Sequence, residues 1–310
     1  AIALLSGPVS ANDLSMTAVK DTLASIPGEH NYIYVRTPLG EDEEKNYDEI
    51  TFYDGLGREL DFAQSYGADR AGAIMAHHHL IEYDSLGRKE KQWLSTNTSF
   101  SYMSPEDLKG GVLWDYHDAG KRSYLQTNYE SSPLNRITEQ YGVGDAWGDH
   151  PARMEYLTNI PADSLRCSFY FIDDNDSLIR RGDYRSGELQ VTKATDEDGK
   201  PTYTFVDKQG RTLLTRLGRG NQQADTYFVF DRFGRIRYVL PPMINDEISA
   251  GNLDLYAYQY LYDSFGRCIS KKLPGCAAIG YVYDKADRVI LSQNGNQSQK
   301  KEWTFTFYDN

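Results

Sequence analysis

The sequence predicts a mainly β protein: an extended, curved or spiralling antiparallel sheet of repeated hairpins, with a few short helices at its periphery. Three observations carry that expectation. One hexapeptide, Tyr-Asp-x-x-Gly-Arg, recurs along the chain; alternating aromatic and β-branched runs flank its copies; and tyrosine outnumbers phenylalanine 24 to 12. Rows of half-buried rings whose hydroxyls reach water or backbone suit a large sheet.

Clean copies of the motif are Tyr53-Asp54-Gly55-Leu56-Gly57-Arg58, Tyr83-Asp84-Ser85-Leu86-Gly87-Arg88 and Tyr262-Asp263-Ser264-Phe265-Gly266-Arg267. One-residue departures are Phe230-Asp231-Arg232-Phe233-Gly234-Arg235, Val206-Asp207-Lys208-Gln209-Gly210-Arg211 and Tyr283-Asp284-Lys285-Ala286-Asp287-Arg288. Tyr129 to Arg136 and Phe171 to Arg180 read as more eroded copies, and Tyr308-Asp309-Asn310 as the first half of another, so the chain is expected to be a piece of a longer protein.

The chemistry is that of a hairpin turn. Runs such as Glu49-Ile50-Thr51-Phe52-Tyr53 and Leu255 to Tyr262 have strand composition and lead into the motif at its tyrosine. The aspartate accepts backbone N–H groups two residues on, and the glycine supplies a left-handed φ that a Cβ resists. A type I turn closed by a residue in αL builds such a loop. Asp287 stands where the other copies have glycine, and aspartate is among the few residues that tolerate αL. A second strand follows, as in Arg235 to Leu240. Motif spacing is loose, at 30 from Tyr53 to Tyr83, 24 from Val206 to Phe230, 32 from Phe230 to Tyr262 and 21 from Tyr262 to Tyr283. A lone hairpin cannot bury an apolar face, so neighbours must pair or stack. Tyr53, Asp54, Gly57, Arg58, Tyr83, Asp84, Gly87, Arg88, Asp231, Gly234, Arg235, Tyr262, Asp263, Gly266, Arg267, Tyr283, Asp284 and Arg288 are therefore expected to be scaffold rather than a reactive site.

Three zones follow: residues 1–30 as an N-terminal segment, 31–200 as a β region with irregular insertions, and 201–310 as the regular repeat region, cut short at its end. Ala1 to Leu5 followed by Val9-Ser10-Ala11 is similar to the end of a secretory signal, without its Met and basic start; an ordered first strand or coil is the alternative. The signal reading would place the protein outside the cell or on its surface. Residues 12 to 31 admit a short helix stopped by Pro27-Gly28, and Glu41-Asp42-Glu43-Glu44 reads as a solvated hairpin tip. A further short helix is expected from Ser104 and Pro105 to Gly110-Gly111, and another between Ile244 and Ala250. Asp145 to Pro151 is too rich in turn formers for a strand.

Composition narrows the function classes. A net charge of −12, from 33 basic and 45 acidic residues, argues against nucleic acid as a partner. No apolar run is long enough for a membrane-spanning helix. Cys167, Cys268 and Cys276 lack metal or redox spacing; Cys268 and Cys276 are close enough in sequence for a disulfide, with buried thiols as the alternative.

His77-His78-His79 is the sharpest metal candidate, because in a strand His77 and His79 share a face, with Glu82 or Asp84 near enough in sequence to join them. No third ligand at zinc spacing follows, so a metal-dependent hydrolase ranks last of the three readings. The acidic runs Asp173-Asp174-Asn175-Asp176 and Asp196-Glu197-Asp198-Gly199 invite calcium, yet lack the distal bidentate glutamate and read as turns. No nucleophile elbow or phosphate loop is present, so no catalytic, cofactor-binding or metal residue is assigned. Trp114, Trp147 and Trp303 could stack on a sugar, with packing as the alternative.

The repeated motif resembles the YD repeat of bacterial RHS-repeat proteins. Asn31 to Arg58 resembles the domain of unknown function that precedes those repeats, and Lys272-Leu273-Pro274-Gly275 and Trp303-Thr304-Phe305-Thr306 fit the same group. The resemblance covers most of the chain, most clearly 31–95 and 200–310. It implies a spiralling β shell that encloses or presents a C-terminal polypeptide cargo, often a toxin, and no enzymatic role for this part. The partners it implies are the remaining repeats and that cargo, with a glycan or cell-surface partner as the alternative function.

Overall fold

Alternation decides the strands. In Asn46–Tyr53 the residues Asp48, Ile50 and Phe52 are buried and those between them are not, the period of two that puts one face on a core. The computed structural model describes residues 30–38, 46–68, 74–117, 120–218, 223–244 and 247–309. The readings made for residues 1–11, for the helix between 12 and 31 and for the acidic tip at Glu41 to Glu44 lie outside them. The chain divides into two compact units, at Ala152 and Arg153. That boundary follows contacts, whereas the division placed at residue 200 follows motif regularity.

The first unit carries β1 (Asn31–Pro38), β2 (Asn46–Tyr53), β3 (Glu59–Ala68), β4 (Ile74–Tyr83), β5 (Lys89–Trp93), β6 (Thr96–Ser99), α1 (Pro105–Asp115), β7 (Tyr124–Tyr129) and β8 (Ile137–Tyr141). All pairings are antiparallel, and β4 forks: Met75 to His78 pair with β6, while Ile81 to Tyr83 pair with β5. Ile50, Phe52, Ala63, Ala76 and Phe100 form its core, edged by Tyr32, Tyr34, Ile74 and Tyr102. A second buried device lies in the same strands. His78, which is 1% exposed, meets Asp61 through Nδ1 at 2.7 Å and the Ser99 carbonyl through Nε2 at 3.0 Å.

The second unit is a ladder of sequence neighbours. It runs through β9 (Ala152–Thr158), β12 (Gln190–Thr195), β13 (Pro201–Val206), β14 (Thr212–Leu217), β15 (Ala224–Phe230), β16 (Ile236–Leu240), β17 (Tyr258–Tyr262), β18 (Cys268–Lys272), β19 (Ile279–Tyr283), β20 (Val289–Gln293) and β21 (Thr304–Phe305). A separate hairpin, β10 (Ser168–Ile172) with β11 (Leu178–Asp183), pairs only with itself. One cross-strand row, Leu157, Val191, Phe205, Leu214, Tyr227 and Leu240, is in direct register across the ladder. It forms the core together with Cys167, Tyr170, Leu178 and Ile244. Each large apolar side chain buried there is worth about 1.5–3 kcal/mol. From Tyr258 to Asp309 no residue is buried.

The helices depart from the sequence reading in instructive ways. Ser104 caps α1 as expected, its Oγ accepting the Asp107 N–H, with Pro105 in the first turn. Gly110-Gly111 does not end it, and the helix continues to Asp115. A Cβ on Gly111 would come within 2.7 Å of Thr96 Oγ1, so this glycine allows close packing rather than marking a stop. The helix expected between Ile244 and Ala250 is displaced. A 3-10 turn occupies Pro242–Ile244, and α2 (Ala250–Tyr256) starts where the expected one would end, capped by Ser249 Oγ on the Asn252 N–H at 3.1 Å. The capping serine outweighed Gly251 as a stop signal. A third helix, α3 (Gly295–Lys300), was not anticipated, although Asn294 and Gln297 form a full capping box. Asp145 to Pro151 is a loop around a 3-10 turn at Asp145–Trp147. In the described residues no helix is long and apolar enough to cross a membrane.

Candidate functional site

Each motif closes a four-residue loop by one scheme. The Asp54 N–H donates to the Arg58 carbonyl at 2.9 Å and the Gly57 N–H to the Asp54 carbonyl at 3.0 Å, with Gly57 at φ +76°. One carboxylate oxygen of Asp54 accepts the N–H groups of Leu56 and Arg58 at 2.8 and 2.9 Å, and the other accepts Arg58 Nε at 2.7 Å. The same contacts recur at Asp84 with Arg88, Asp207 with Arg211, Asp231 with Arg235, Asp263 with Arg267 and Asp284 with Arg288. Asp287 does sit in αL, at φ 60°. Past each arginine the ladder slips by one residue, so that Tyr53 faces Glu59 while Phe52 faces Asp61. The identical slip follows Tyr83, Tyr129, Val206, Phe230, Tyr262 and Tyr283, a β-bulge that bends and twists each hairpin alike.

The aspartate fixes the guanidinium, and the guanidinium reaches the next copy. Arg58 lies over the ring of Tyr83 at 4.5 Å, Arg88 over Tyr129 at 4.7 Å, Arg211 over Phe230 at 5.0 Å, Arg235 over Tyr262 at 4.8 Å, Arg267 over Tyr283 at 5.0 Å and Arg288 over Tyr308 at 4.9 Å. The tyrosine answers. Tyr83 Oη donates to the carbonyl of Glu59 at 2.6 Å, Tyr129 to Lys89 at 3.0 Å, Tyr262 to Ile236 at 2.9 Å, Tyr283 to Cys268 at 2.8 Å and Tyr308 to Val289 at 3.0 Å. In each case the acceptor is the residue directly after the preceding motif's arginine. Arg235 and Arg267 also donate to the carbonyls of Asp263 and Asp284, at 3.2 and 3.1 Å. The relay thus runs Asp to Arg to the next Tyr and back to the backbone. One run begins at Tyr53 and one at Asp207.

Electrostatics keep the relay in its working state. The Asp54 and Asp284 carboxyls are held below the ordinary range, chiefly by the backbone N–H of the following arginine. At Asp84, Asp207, Asp231 and Asp263 burial pushes the carboxyl up, and the arginine's N–H and guanidinium together outweigh it. Burial pushes the phenols of Tyr83, Tyr262 and Tyr283 up, so they stay protonated donors.

The eroded copies show what the motif can lose. In Tyr129 to Arg136 the loop is two residues longer, and Glu130 replaces the aspartate: it accepts Arg136 at 2.7 and 2.8 Å, while Ser132 Oγ takes over the turn N–H of Leu134. Arg136, then Ser132, hold the Glu130 carboxyl at about 2. The copy sought between Phe171 and Arg180 closes at Ser177 instead, with Asp173 accepting the Asn175 and Ser177 N–H groups. Asp196 to Lys200 forms the same turn with Gly199 at φ 77°, as the sequence reading expected of a turn there, although that reading did not count it among the copies. Neither of these last two has the arginine, and neither has the bulge at the motif position.

The remaining candidates resolve into local contacts. His77 and His79 do share a face, where His77 stacks on Tyr66 at 4.4 Å and His79 tilts against Phe62 at 6.4 Å. Among the described residues no group of three or more His, Cys, Asp or Glu is placed to hold a metal. In the first acidic run, Asp176 forms a bidentate pair with Arg237 of β16. Cys268 and Cys276 are free thiols, the first half-buried and the second exposed rather than both buried, and Cys167 is buried, which pushes its thiol up to about 12. Trp114 is 83% exposed on α1, and Trp147 and Trp303 are each 47% exposed.

Comparison with known proteins adds the following. Residues 31–158 match a family model described as a domain of unknown function, DUF6443, starting at the asparagine where the resemblance to such a domain begins. No curated protein matches the chain. Among solved structures it is similar to the crystal structure of TcdB2-TccC3, at 14% identity over 86% of this chain with a TM-score of 0.54. The crystal structure of TcdB2-TccC3-Cdc42 matches at 15% identity over 86% with a TM-score of 0.55, and that of TcdB2-TccC3-TEV at 13% over 91% with 0.53. The chain spans only 12–14% of the length of those structures. At such identities the likeness is one of architecture, and the chain carries an RHS-like β fold.

Proposed function

We propose that this chain is a non-enzymatic structural segment of an RHS-repeat shell, secreted or displayed at the cell surface, that encloses or presents a polypeptide cargo such as a toxin. The observation that carries this reading is the relay. A side-chain scheme that registers one hairpin against the next is what an extended wall needs, and it uses every fixed position of the repeated hexapeptide. The six Asp–Arg pairs are consumed in that bracing, so none is left to do acid–base chemistry. The test is cryo-electron microscopy of the gene's whole product. A closed β wall containing polypeptide density that a protease cannot reach is the expected result; an open array with all polypeptide cleaved would overturn it.

A surface-binding module for glycan or protein is the second reading, favoured by Trp114, which stands exposed on α1 beside the partly exposed Leu113 and Tyr116. Saturable binding on a glycan array, lost in Trp114→Ala, would promote it over the shell.

A further inference from the structure

A cleft of about 340 Å³ opens in the second unit, bordered on one side by the relay residues Arg211, Phe230 and Asp231. Its walls are rings: Phe169 and Phe171 of β10, Tyr184 after β11, and Phe228 and Phe230 of β15. Phe169 and Phe171 stack at 5.6 Å, and Tyr184 meets Phe169 edge-on at 4.8 Å. The volume is at the lower end of small-molecule sites, enough for one ring and a short substituent.

Its charge is set by one residue. Arg211 and Asp231 line the cleft, but each is neutralised within its own motif, by Asp207 and Arg235. Arg232 also lines it and has no acidic or hydrogen-bond partner among the described residues; its one contact is the ring of Phe233 at 5.0 Å. The Tyr184 hydroxyl and the Gln209 side-chain amide are likewise without partners. Burial pushes the Tyr184 phenol up, which keeps it a donor.

These features discriminate among ligands. A cation suits aromatic faces but is repelled by Arg232. A pyranose also stacks on rings, yet its hydroxyls need more partners than Arg232, Tyr184 and Gln209 supply, and unpaired polar groups are costly. One flat ring with one carboxylate matches both the walls and the rim. We infer that this cleft binds a single-ring aryl carboxylate, the ring held between the phenylalanines and the acid by Arg232.

The test is a chemical-shift titration of this chain with 4-hydroxyphenylacetate, its neutral amide, and glucuronate. The expected result is saturable binding of the acid with shifts confined to the cleft, and about tenfold weaker binding of the amide, the usual worth of one charge-assisted contact. Arg232→Gln, at an exposed turn position, should weaken the acid about tenfold and leave the amide unchanged, while Phe171→Leu should weaken both alike. Equal affinity for acid and amide, indifference to Arg232→Gln in a variant that melts as the parent does, tighter binding of glucuronate, or no saturable binding would each overturn the inference.

Discussion

Arg235 touches more of its surroundings than any apolar residue of its size could, and each contact is different in kind. Its Nε meets Asp231 at 2.7 Å, its Nη1 reaches the Asp263 carbonyl, and its plane covers Tyr262. Arg235→Ala should lower stability by about 1–3 kcal/mol, summing a partly exposed cation–π contact with the loss of charge-assisted bonds. Arg235→Lys should recover less than half, because an ammonium cannot present the fork and the plane at once. Urea denaturation measures both. Gly234→Ala should cost about 1 kcal/mol through backbone alone, since its φ is +79° and the nearest atom to a new Cβ is 3.9 Å away. Gly87→Ala should cost more, because there Arg58 Nη1 lies 3.0 Å from the new Cβ.

The lowered motif carboxyls also set a pH dependence. A carboxyl whose folded value lies below its unfolded one, near 3.9 for aspartate, adds stability that is fully present above that unfolded value and is lost as pH falls through the folded one. The motif carboxyls should therefore contribute fully from about pH 7 to 5 and lose their contribution below about pH 4. Glu130→Gln should flatten the low-pH limb, since the Glu130 carboxyl titrates at about 2. Chemical denaturation repeated across that range would show it.

At the scale of elements, the ladder divides by burial. β13 to β16 share the row from Phe205 to Leu240, whereas β17 to β21 hold half-buried residues but no fully buried one. Phe205→Ala should cost about 3–5 kcal/mol. Amide hydrogen exchange should be markedly faster in Tyr258–Gln293 than in Pro201–Leu240, because local opening there gives up few buried contacts; equal protection would contradict this. The hairpins were legible in the sequence because turn chemistry is local: Asp accepts, Gly or Asp287 turns, and strands flank them. The partnership of one arginine with the next tyrosine was not, since the spacing between copies varies and nothing in a single hexapeptide names its neighbour. The segment Asp196–Lys200 was legible as a turn but not as a copy of the motif, because lysine replaces arginine and no aromatic precedes it. Gly111 misled for another reason, that its role is set by Thr96 on a different element.

At the scale of the molecule, the relay makes stability a sum over adjacent hairpins, as in a one-dimensional array. Neighbouring copies should couple, and copies further apart should not. The most direct measurement is a double-mutant cycle on Arg235→Ala and Tyr262→Ala, set against a control cycle on Arg211→Ala and Tyr283→Ala, which lie in copies that do not touch through the relay. The relay predicts a coupling of about 1–2 kcal/mol in the first cycle and none beyond error in the second. Additive behaviour of Arg235 with Tyr262 would contradict it.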